Sequence, residues 1–145
     1  MLRSKTFLPD VNVWLALASK RHVHHAAAAA WMDTAGAGQA AFCRLTQMGL
    51  LRLLTTRRAM GADTVHPSEA WRVYHRMSGD SRIQFQAEPA GIEGVWQRLT
   101  QLAGAAGHWN DAYLQAFAQL KDLQVVSFDR DLLRFPAALA LILSG

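Results

Sequence analysis

Short apolar runs alternate along this chain with longer segments in which apolar residues recur at helical spacing. The alternation predicts strands joined by right-handed helical crossovers, which place successive strands parallel. A parallel sheet is covered by helices on both faces, so we predict an α/β fold with three layers, α/β/α, around a mostly parallel central sheet. The predicted strands are Thr6–Pro9, Gln39–Cys43, Ile83–Phe85, Leu123–Ser127 and, at an edge, Leu139–Leu143.

Helices are predicted between these strands, with Gly, Pro or His residues at their breaks. They are Val13–Ser19, Ala26–Thr34, Leu45–Thr55, Pro67–Met77, Ile92–Leu102 and Trp109–Leu120. Gly61–Thr64 is predicted as a loop and Gly104–Gly107 as a break before the last helix. Because the chain carries neither an internal repeat nor a low-complexity linker, residues 1–145 are predicted to form one domain.

The composition is that of a globular protein, with 51% hydrophobic and 18% charged residues, and it excludes a disordered chain. The apolar runs are too short to cross a membrane, and the N-terminal residues lack the apolar core of a signal peptide. A single cysteine, Cys43, excludes an internal disulfide framework. We therefore expect a cytoplasmic protein.

The net charge of +4 favours a polyanionic partner. Arginine supplies most of the positive charge, and its guanidinium pairs with phosphate in a bidentate manner and stacks on bases. Nucleic acid is therefore one candidate partner, and an acidic protein is another.

Three carboxylates are predicted to meet at one edge of the sheet. Asp10 ends the first strand, Asp129 follows the strand Leu123–Ser127, and Asp111 begins the helix before that strand. If those two strands are neighbours, all three side chains face the crevice at the carboxyl ends of the strands. Clustered carboxylates resist ionisation unless a cation compensates, and Mg²⁺ or Mn²⁺ suits oxygen ligands. Such an ion would support hydrolysis of a phosphodiester.

Each of these residues also has an alternative explanation. Asp10 and Asp111 could be helix N-caps, and Asp129 with Asp131 could form a turn. A phosphatase-like or receiver-like protein would also carry an aspartate after its first strand, as nucleophile or phosphoacceptor. Asn12, at a position where phosphatases usually carry a second aspartate, and the lack of a well-placed lysine argue against that class.

Several separated segments carry recognisable motifs: Leu8–Ala18, His22–Trp31, Phe42–Thr55, Asn110–Leu114 and Ser127–Asp129. In this order they resemble the motif blocks of PIN-domain ribonucleases, and in particular those of VapC-type toxins from bacterial toxin–antitoxin pairs. The resemblance covers nearly the whole chain.

The resemblance implies a PIN-like domain that acts as a metal-dependent endoribonuclease. Its acidic residues map to Asp10, Asp111 and Asp129, which would hold Mg²⁺ or Mn²⁺, and a metal-activated water would attack the RNA phosphodiester. It also implies the toxin of a type II pair, a VapB-like antitoxin as partner, and a homodimer.

Gln47 departs from the family pattern, which commonly has a glutamate in this block. Glutamine lacks the charge, although it can orient water or bind through its carbonyl, and related toxins also carry it. Asp131 is a nearby carboxylate that could partly compensate. The departure leaves open a catalytically weak or inactive module that binds RNA or an antitoxin.

Supporting roles are predicted for residues around the carboxylates. Asn12 either ties the turn after the first strand to Asp10 or caps a helix, and Ser127 contributes either a structural hydrogen bond or a contact to metal or water. Arg44 and Arg52 either hold RNA phosphates or lie on a solvated face. One tryptophan could stack on an unpaired base, but the sequence does not indicate which.

Overall fold

A five-stranded parallel sheet lies at the centre of the computed structural model, which describes residues 5–103, 108–135 and 138–145. The strand order is β3-β2-β1-β4-β5, and each neighbouring pair is parallel. The strands are β1 (Thr6–Pro9), β2 (Ala40–Phe42), β3 (Ile83–Phe85), β4 (Leu123–Ser127) and β5 (Ala140–Ile142).

Helices cover both faces of the sheet, because successive side chains of a strand point to opposite faces. The helices are α1 (Val11–Ala18), α2 (His25–Met32), α3 (Arg44–Leu54), α4 (Arg57–Met60), α5 (Pro67–Ser78), α6 (Ile92–Ala103) and α7 (Trp109–Lys121). Val126 and Phe42 pack into the cluster formed with α1, α2, α3 and α5. Leu8 and Val125 pack into the other cluster, formed with α6 and α7.

The predicted strands agree with the structure to within one residue at either end, and β5 is an edge strand as expected. Strand β1 lies between β2 and β4, so segments from both ends of the chain share the middle of the sheet. This arrangement supports our proposal that residues 1–145 form one domain. Within the described ranges, no helix has the length and apolar character needed to span a membrane.

The predictions were wrong mainly at short helical turns. Helix α1 begins at Val11 rather than Val13, because the Asp10 side chain caps it, and Asn12 therefore lies in its first turn. Helix α4 was not predicted, and the predicted loop after it contains a 3₁₀ turn at Gly61–Asp63. Another 3₁₀ helix, Arg130–Arg134, follows β4. Such short turns carry too few residues for a periodic apolar pattern. The predicted break at 104–107 lies outside the described residues.

Gly49 allows helix α3 to approach helix α1 closely. A Cβ atom placed on Gly49 would lie 2.6 Å from Cγ2 of Val11. Carbon atoms cannot approach this closely without moving, so an alanine here would push α3 away from α1. Both residues line the crevice described below.

We predict that Gly49→Ala is less stable than Gly94→Ala by about 1–3 kcal/mol in the free energy of unfolding, the usual cost of overpacking, because both variants gain the same helix propensity. Gly94→Ala in α6 is the matched control, since its Cβ would meet nothing within 4 Å. The control should gain up to about 1 kcal/mol from helix propensity. Urea denaturation measures both, and equal stability of the two variants would contradict the close approach.

Candidate active site

The pairing of β1 with β4 brings polar side chains to one edge of the sheet. Pro9 is in register with Val126, and the Asp10 N–H donates to the Val126 carbonyl at 2.8 Å. Asp10 therefore directly follows β1, beside Ser127 at the end of β4. The sequence prediction required β1 and β4 to be neighbouring strands, and they pair directly. Helix α7 contributes Asp111 from its first turn.

Asp10 is a half-buried carboxylate with a hydrogen bond to each oxygen. Its Oδ1 accepts from the Val11 N–H at 2.7 Å, and its Oδ2 accepts from the Ser127 hydroxyl at 3.0 Å. Burial raises the pKa of Asp10, and the negative charge of Asp129 adds to this rise, although the two hydrogen bonds oppose it. Asp10 is thus both a helix cap and a carboxylate that would gain from a nearby cation.

The hydroxyl of Ser127 connects the strand end to Asp10. Ser127 is fully buried, and its Oγ accepts from Asn12 Nδ2 and from the Asp129 N–H, both at 3.0 Å. Since these donors occupy both acceptor positions, the hydroxyl proton is directed to Asp10. The Phe128 N–H donates to Asn12 Oδ1 at 3.2 Å, which fixes the orientation of the amide. Asn12 therefore acts on Asp10 through Ser127 and is not the cap of α1.

Asp111 lies in the same electrostatic environment as the other two carboxylates. Burial, followed by the negative charges of Asp10 and Asp129, raises its pKa to about 6. The positive charges of Arg134 and His108 oppose this rise. Asp111 would therefore be only partly ionised near pH 6 in the absence of a further cation.

A crevice of about 340 Å³ opens between α1, α3 and α7. Its walls are mostly apolar, and its polar groups are two of the predicted carboxylates, one amide and one guanidinium. The lining residues are Asp10, Val11, Leu45, Met48, Gly49, Arg52, Leu53, Asn110, Asp111 and Leu114.

The three carboxylates do not form a closed three-ligand cage. Among the residues that the structure describes, no three acidic, histidine or cysteine side chains are placed to hold one metal ion together. Asp129 is absent from the crevice lining, and its Oδ1 accepts from the Asp131 N–H at 2.9 Å. This geometry departs from the prediction of three direct ligands. It fits a hard divalent ion that contacts one or two carboxylates and keeps several waters, with Asp10 and Asp111 as the donors.

Gln47 and Arg44 form a pair outside the crevice lining. Gln47 is buried in α3, and its Oε1 accepts from Arg44 Nη1 at 2.5 Å. Arg44 in turn lies over the Phe85 ring, 4.8 Å from its centroid. The carbonyl oxygen of Gln47 accepts from Arg44, and Gln47 is absent from the crevice lining, which does not support the expected role of that carbonyl at a metal. Of the two predicted RNA-binding arginines, only Arg52 lines the crevice.

The carboxylate of Asp131 does not replace the missing glutamate. It pairs with Arg134 at 3.1 Å, and the Asp131 side chain is 69% exposed. What Asp131 offers the site is the backbone N–H that holds Asp129. The expected compensation by Asp131 is therefore wrong for its side chain.

The sequence pointed to His108 as a residue before the Asp111 helix and to Arg134 as an ion-pair partner of the Asp129–Asp131 turn. It did not indicate their joint effect on the pKa of Asp111. Arg134 and His108 contact each other, and both lower the pKa of Asp111. The spacing of Asp131 and Arg134, three residues apart in a helical turn, was an available signal for Arg134. Nothing in the local sequence pattern indicates that Arg134 lies next to α7, because Arg134 and His108 are far apart in sequence.

Comparison with known proteins establishes the family. The model of the PIN domain matches residues 7–138. Ribonuclease VapC41 of Mycobacterium tuberculosis is 45% identical over 128 residues, which cover 84% of this chain and 88% of that protein. The chain belongs to the PIN-domain family of VapC ribonucleases. Ribonuclease VapC29 of the same organism is 32% identical over 140 residues, covering 95% of this chain and 96% of the relative.

A solved structure with a similar fold is VapBC2 from Rickettsia felis, crystallised with a DNA fragment from its promoter. Its TM-score is 0.69 at 10% identity, covering 96% of this chain and 99% of that chain. The predicted three-layer fold and the predicted class, a PIN-domain nuclease toxin, are confirmed. Membership of this family excludes the phosphatase-like and receiver-like alternatives. VapC nucleases generally depend on divalent metal ions.

We predict that Ser127→Ala lowers the free energy of unfolding by about 1–3 kcal/mol, because the Asn12 amide and the Asp129 N–H lose their acceptor in a buried setting. Ser78→Ala, at the exposed end of α5, is the control and should stay within about 0.5 kcal/mol of the parent. Urea denaturation measures both. If the two variants are equally stable, the Ser127 hydroxyl does not hold this edge together.

Proposed function

We propose that this chain is an endoribonuclease toxin whose crevice holds Mg²⁺ or Mn²⁺ through Asp10 and Asp111, with Asp129 adding negative charge. The observation that carries the proposal is the crevice that Asp10 and Asp111 line together, where burial and two neighbouring carboxylates raise the pKa of Asp111 to about 6. Mutual repulsion of this kind is relieved by a bound cation. The oxygen-only donors and the open crevice suit a hard ion that retains water.

When bound, the ion would supply an ionised water and would stabilise charge on a phosphoryl oxygen. The residues of the chain prepare the site for it. The Val11 N–H and the Ser127 hydroxyl hold the two oxygens of Asp10 in place. Asp111 faces the same crevice from the first turn of α7. Preorganised carboxylates need little rearrangement when substrate arrives.

Arg52 is the residue of this crevice best suited to hold an RNA phosphate. It lines the wall formed by α3, and its guanidinium can bind phosphate in a bidentate manner. Arg44 is held by Gln47 and Phe85 instead, so we assign it to the positioning of Gln47. The net charge of +4 adds a general attraction for RNA.

We also propose a VapB-like antitoxin as the protein partner. The proposal is supported by the family and by the VapBC neighbour from Rickettsia felis. A homodimer, implied by the resemblance, and a cytoplasmic location, expected from the sequence, stay predictions.

The test is RNA cleavage by purified variants. Asp10→Asn and Asp111→Asn should each lower the cleavage rate by roughly a hundredfold or more, because each removes a charged ligand from the metal site. Asp131→Asn is the matched control and should retain near-parental activity, since its carboxylate lies outside the crevice. A chelator should abolish cleavage, and added Mn²⁺ should restore it.

Gln47→Glu separates this proposal from the catalytically weak alternative. Because Gln47 is bound to Arg44 outside the crevice lining, the variant should cleave RNA within a few-fold of the parent, with glutamate paired to the same arginine. If the parent binds RNA without cleaving it and Gln47→Glu cleaves it, the chain is an inactive binding module. Full activity of Asp10→Asn and Asp111→Asn would refute the metal-site assignment.

A further inference from the structure

A mostly apolar groove of about 280 Å³ lies beside the crevice, between α3 and α5. Its lining residues are Met48, Leu51, Arg52, Thr55, Pro67, Ala70 and Trp71. Met48 and Arg52 also line the crevice, so the two cavities share one wall. The groove therefore adjoins the proposed catalytic crevice along these two side chains.

The spacing of residues along α3 explains how this helix lines both cavities. Residues four apart lie on the same face of a helix, and Met48 and Arg52 have this spacing. Gly49 flanks them on the side of the crevice, whereas Leu51 and Thr55 flank them on the side of the groove. Met48 and Arg52 thus form a ridge of α3 that any chain passing from one cavity to the other must cross.

The ring of Trp71 forms part of the α5 side of the groove and is held against the core. It stacks on His75 with centroids 5.6 Å apart, and it meets the Tyr74 ring edge-on at 6.1 Å. Tyr74 is buried and in turn meets the buried ring of Phe42 at 5.0 Å. Trp71 itself is 45% exposed. A ring braced in this manner loses little conformational entropy on binding a ligand.

Positive charge predominates around the groove. Among the residues that the structure describes, Arg52 forms no ion pair, and Arg57 and Arg58 follow at exposed positions on α4. The Glu69 carboxylate on α5 is paired with Arg72 at 2.6 Å. An apolar cavity with an aromatic wall beside an unpaired guanidinium suits the two parts of a nucleotide, a flat base and a phosphate.

The continuity of the two cavities favours RNA over a protein as the occupant of the groove. In the proposed function the crevice holds a phosphodiester, and the nucleotides next to it must lie outside the crevice. The ridge that separates the cavities carries Arg52, the residue assigned to an RNA phosphate. A strand that crosses this ridge meets the Trp71 ring on the other side.

We propose that the RNA strand passes from the crevice over Arg52 into this groove, where an unpaired base stacks on Trp71. The inference rests on the proposed function and adds Trp71 to it as a substrate-positioning residue. Trp109 is more exposed, at 58%, but it lines neither the crevice nor the groove. The RNA must be single-stranded at this point, because a base within a duplex cannot stack on a side chain.

The test measures RNA affinity without cleavage, in the Asp10→Asn background. The probe is a short, fluorescently labelled single-stranded RNA of mixed sequence, followed by fluorescence anisotropy. Trp71→Ala should raise the Kd about tenfold, a typical loss for one stacked base. Trp71→Phe should recover most of the affinity, whereas Trp71→Leu, which keeps an apolar side chain without an aromatic face, should not. Trp109→Ala is the matched control and should bind as tightly as the Asp10→Asn parent, and circular dichroism verifies that each variant folds.

A fully abasic strand separates stacking from charge. It has the length and the phosphates of the RNA probe but no bases. Trp71→Ala and its parent should bind this strand equally, because no base is left to stack on the ring. Arg52→Gln should weaken binding of both strands by a similar factor, since a phosphate contact does not depend on the bases. A purely structural role of Trp71 would instead lower the affinity for both strands.

The inference is overturned if Trp71→Ala binds the RNA as tightly as its parent, or if it weakens binding of the abasic strand by the same factor. It is also overturned if Trp109→Ala weakens RNA binding as much as Trp71→Ala does. An unchanged RNA affinity of Trp71→Ala, together with a shifted elution volume on size exclusion, would assign the groove to a contact between two copies of the chain instead.

Failure of the proposed function has a different signature. If the chain with an intact Asp10 and its Asp10→Asn variant cleave RNA equally, while Trp71→Ala loses affinity for RNA but not for the abasic strand, the metal-site proposal fails and the stacking role stands. If Asp10→Asn abolishes cleavage and Trp71→Ala binds RNA as its parent does, the proposed function stands and the groove does not bind a base.

Discussion

Asp10, Asp111 and Asp129 repel one another at the carboxyl ends of β1 and β4, and much of the surrounding structure serves to hold them there. The sheet fixes Asp10 through its backbone N–H, and the Ser127 hydroxyl fixes its side chain. Helix α7 brings Asp111 to the same crevice, where burial and the other two charges raise its pKa to about 6. Close carboxylates of this kind store unfavourable charge that a divalent cation can relieve.

The polar groups around this cluster divide into two sets with different tasks. One set maintains the positions of the carboxylates, and Asn12 belongs to it because it donates to Ser127. The other set meets the substrate: we assign Arg52, which lines the crevice, to an RNA phosphate. Gln47 belongs to neither set, because its carbonyl is bound by Arg44 outside the crevice lining. The substitution of glutamate by glutamine is therefore compatible with an active site built on Asp10 and Asp111.

The fold could be predicted from the sequence because buried strands and amphipathic helices leave strong periodic signals. Strands β1 and β4 were predicted with their observed bounds, and this placed Asp10 and Ser127 at one edge. The start of α1 was wrong because an aspartate that caps a helix looks the same in sequence as one that precedes a turn. The Ser127 network and the Arg44–Gln47 pair could not be predicted in detail, since they depend on side-chain directions.

Calorimetric titration of the metal-free protein with Mn²⁺ tests the central claim most directly. A carboxyl group with a pKa of about 6 is largely protonated at pH 5, and Mn²⁺ binding must displace that proton. The heat of binding at pH 5 should therefore change with the ionisation enthalpy of the buffer, and this dependence should vanish near pH 8, where the carboxylates are already ionised. Asp111→Asn should reduce the buffer dependence and weaken binding. Absence of Mn²⁺ binding, or binding without proton release at pH 5, would contradict the account.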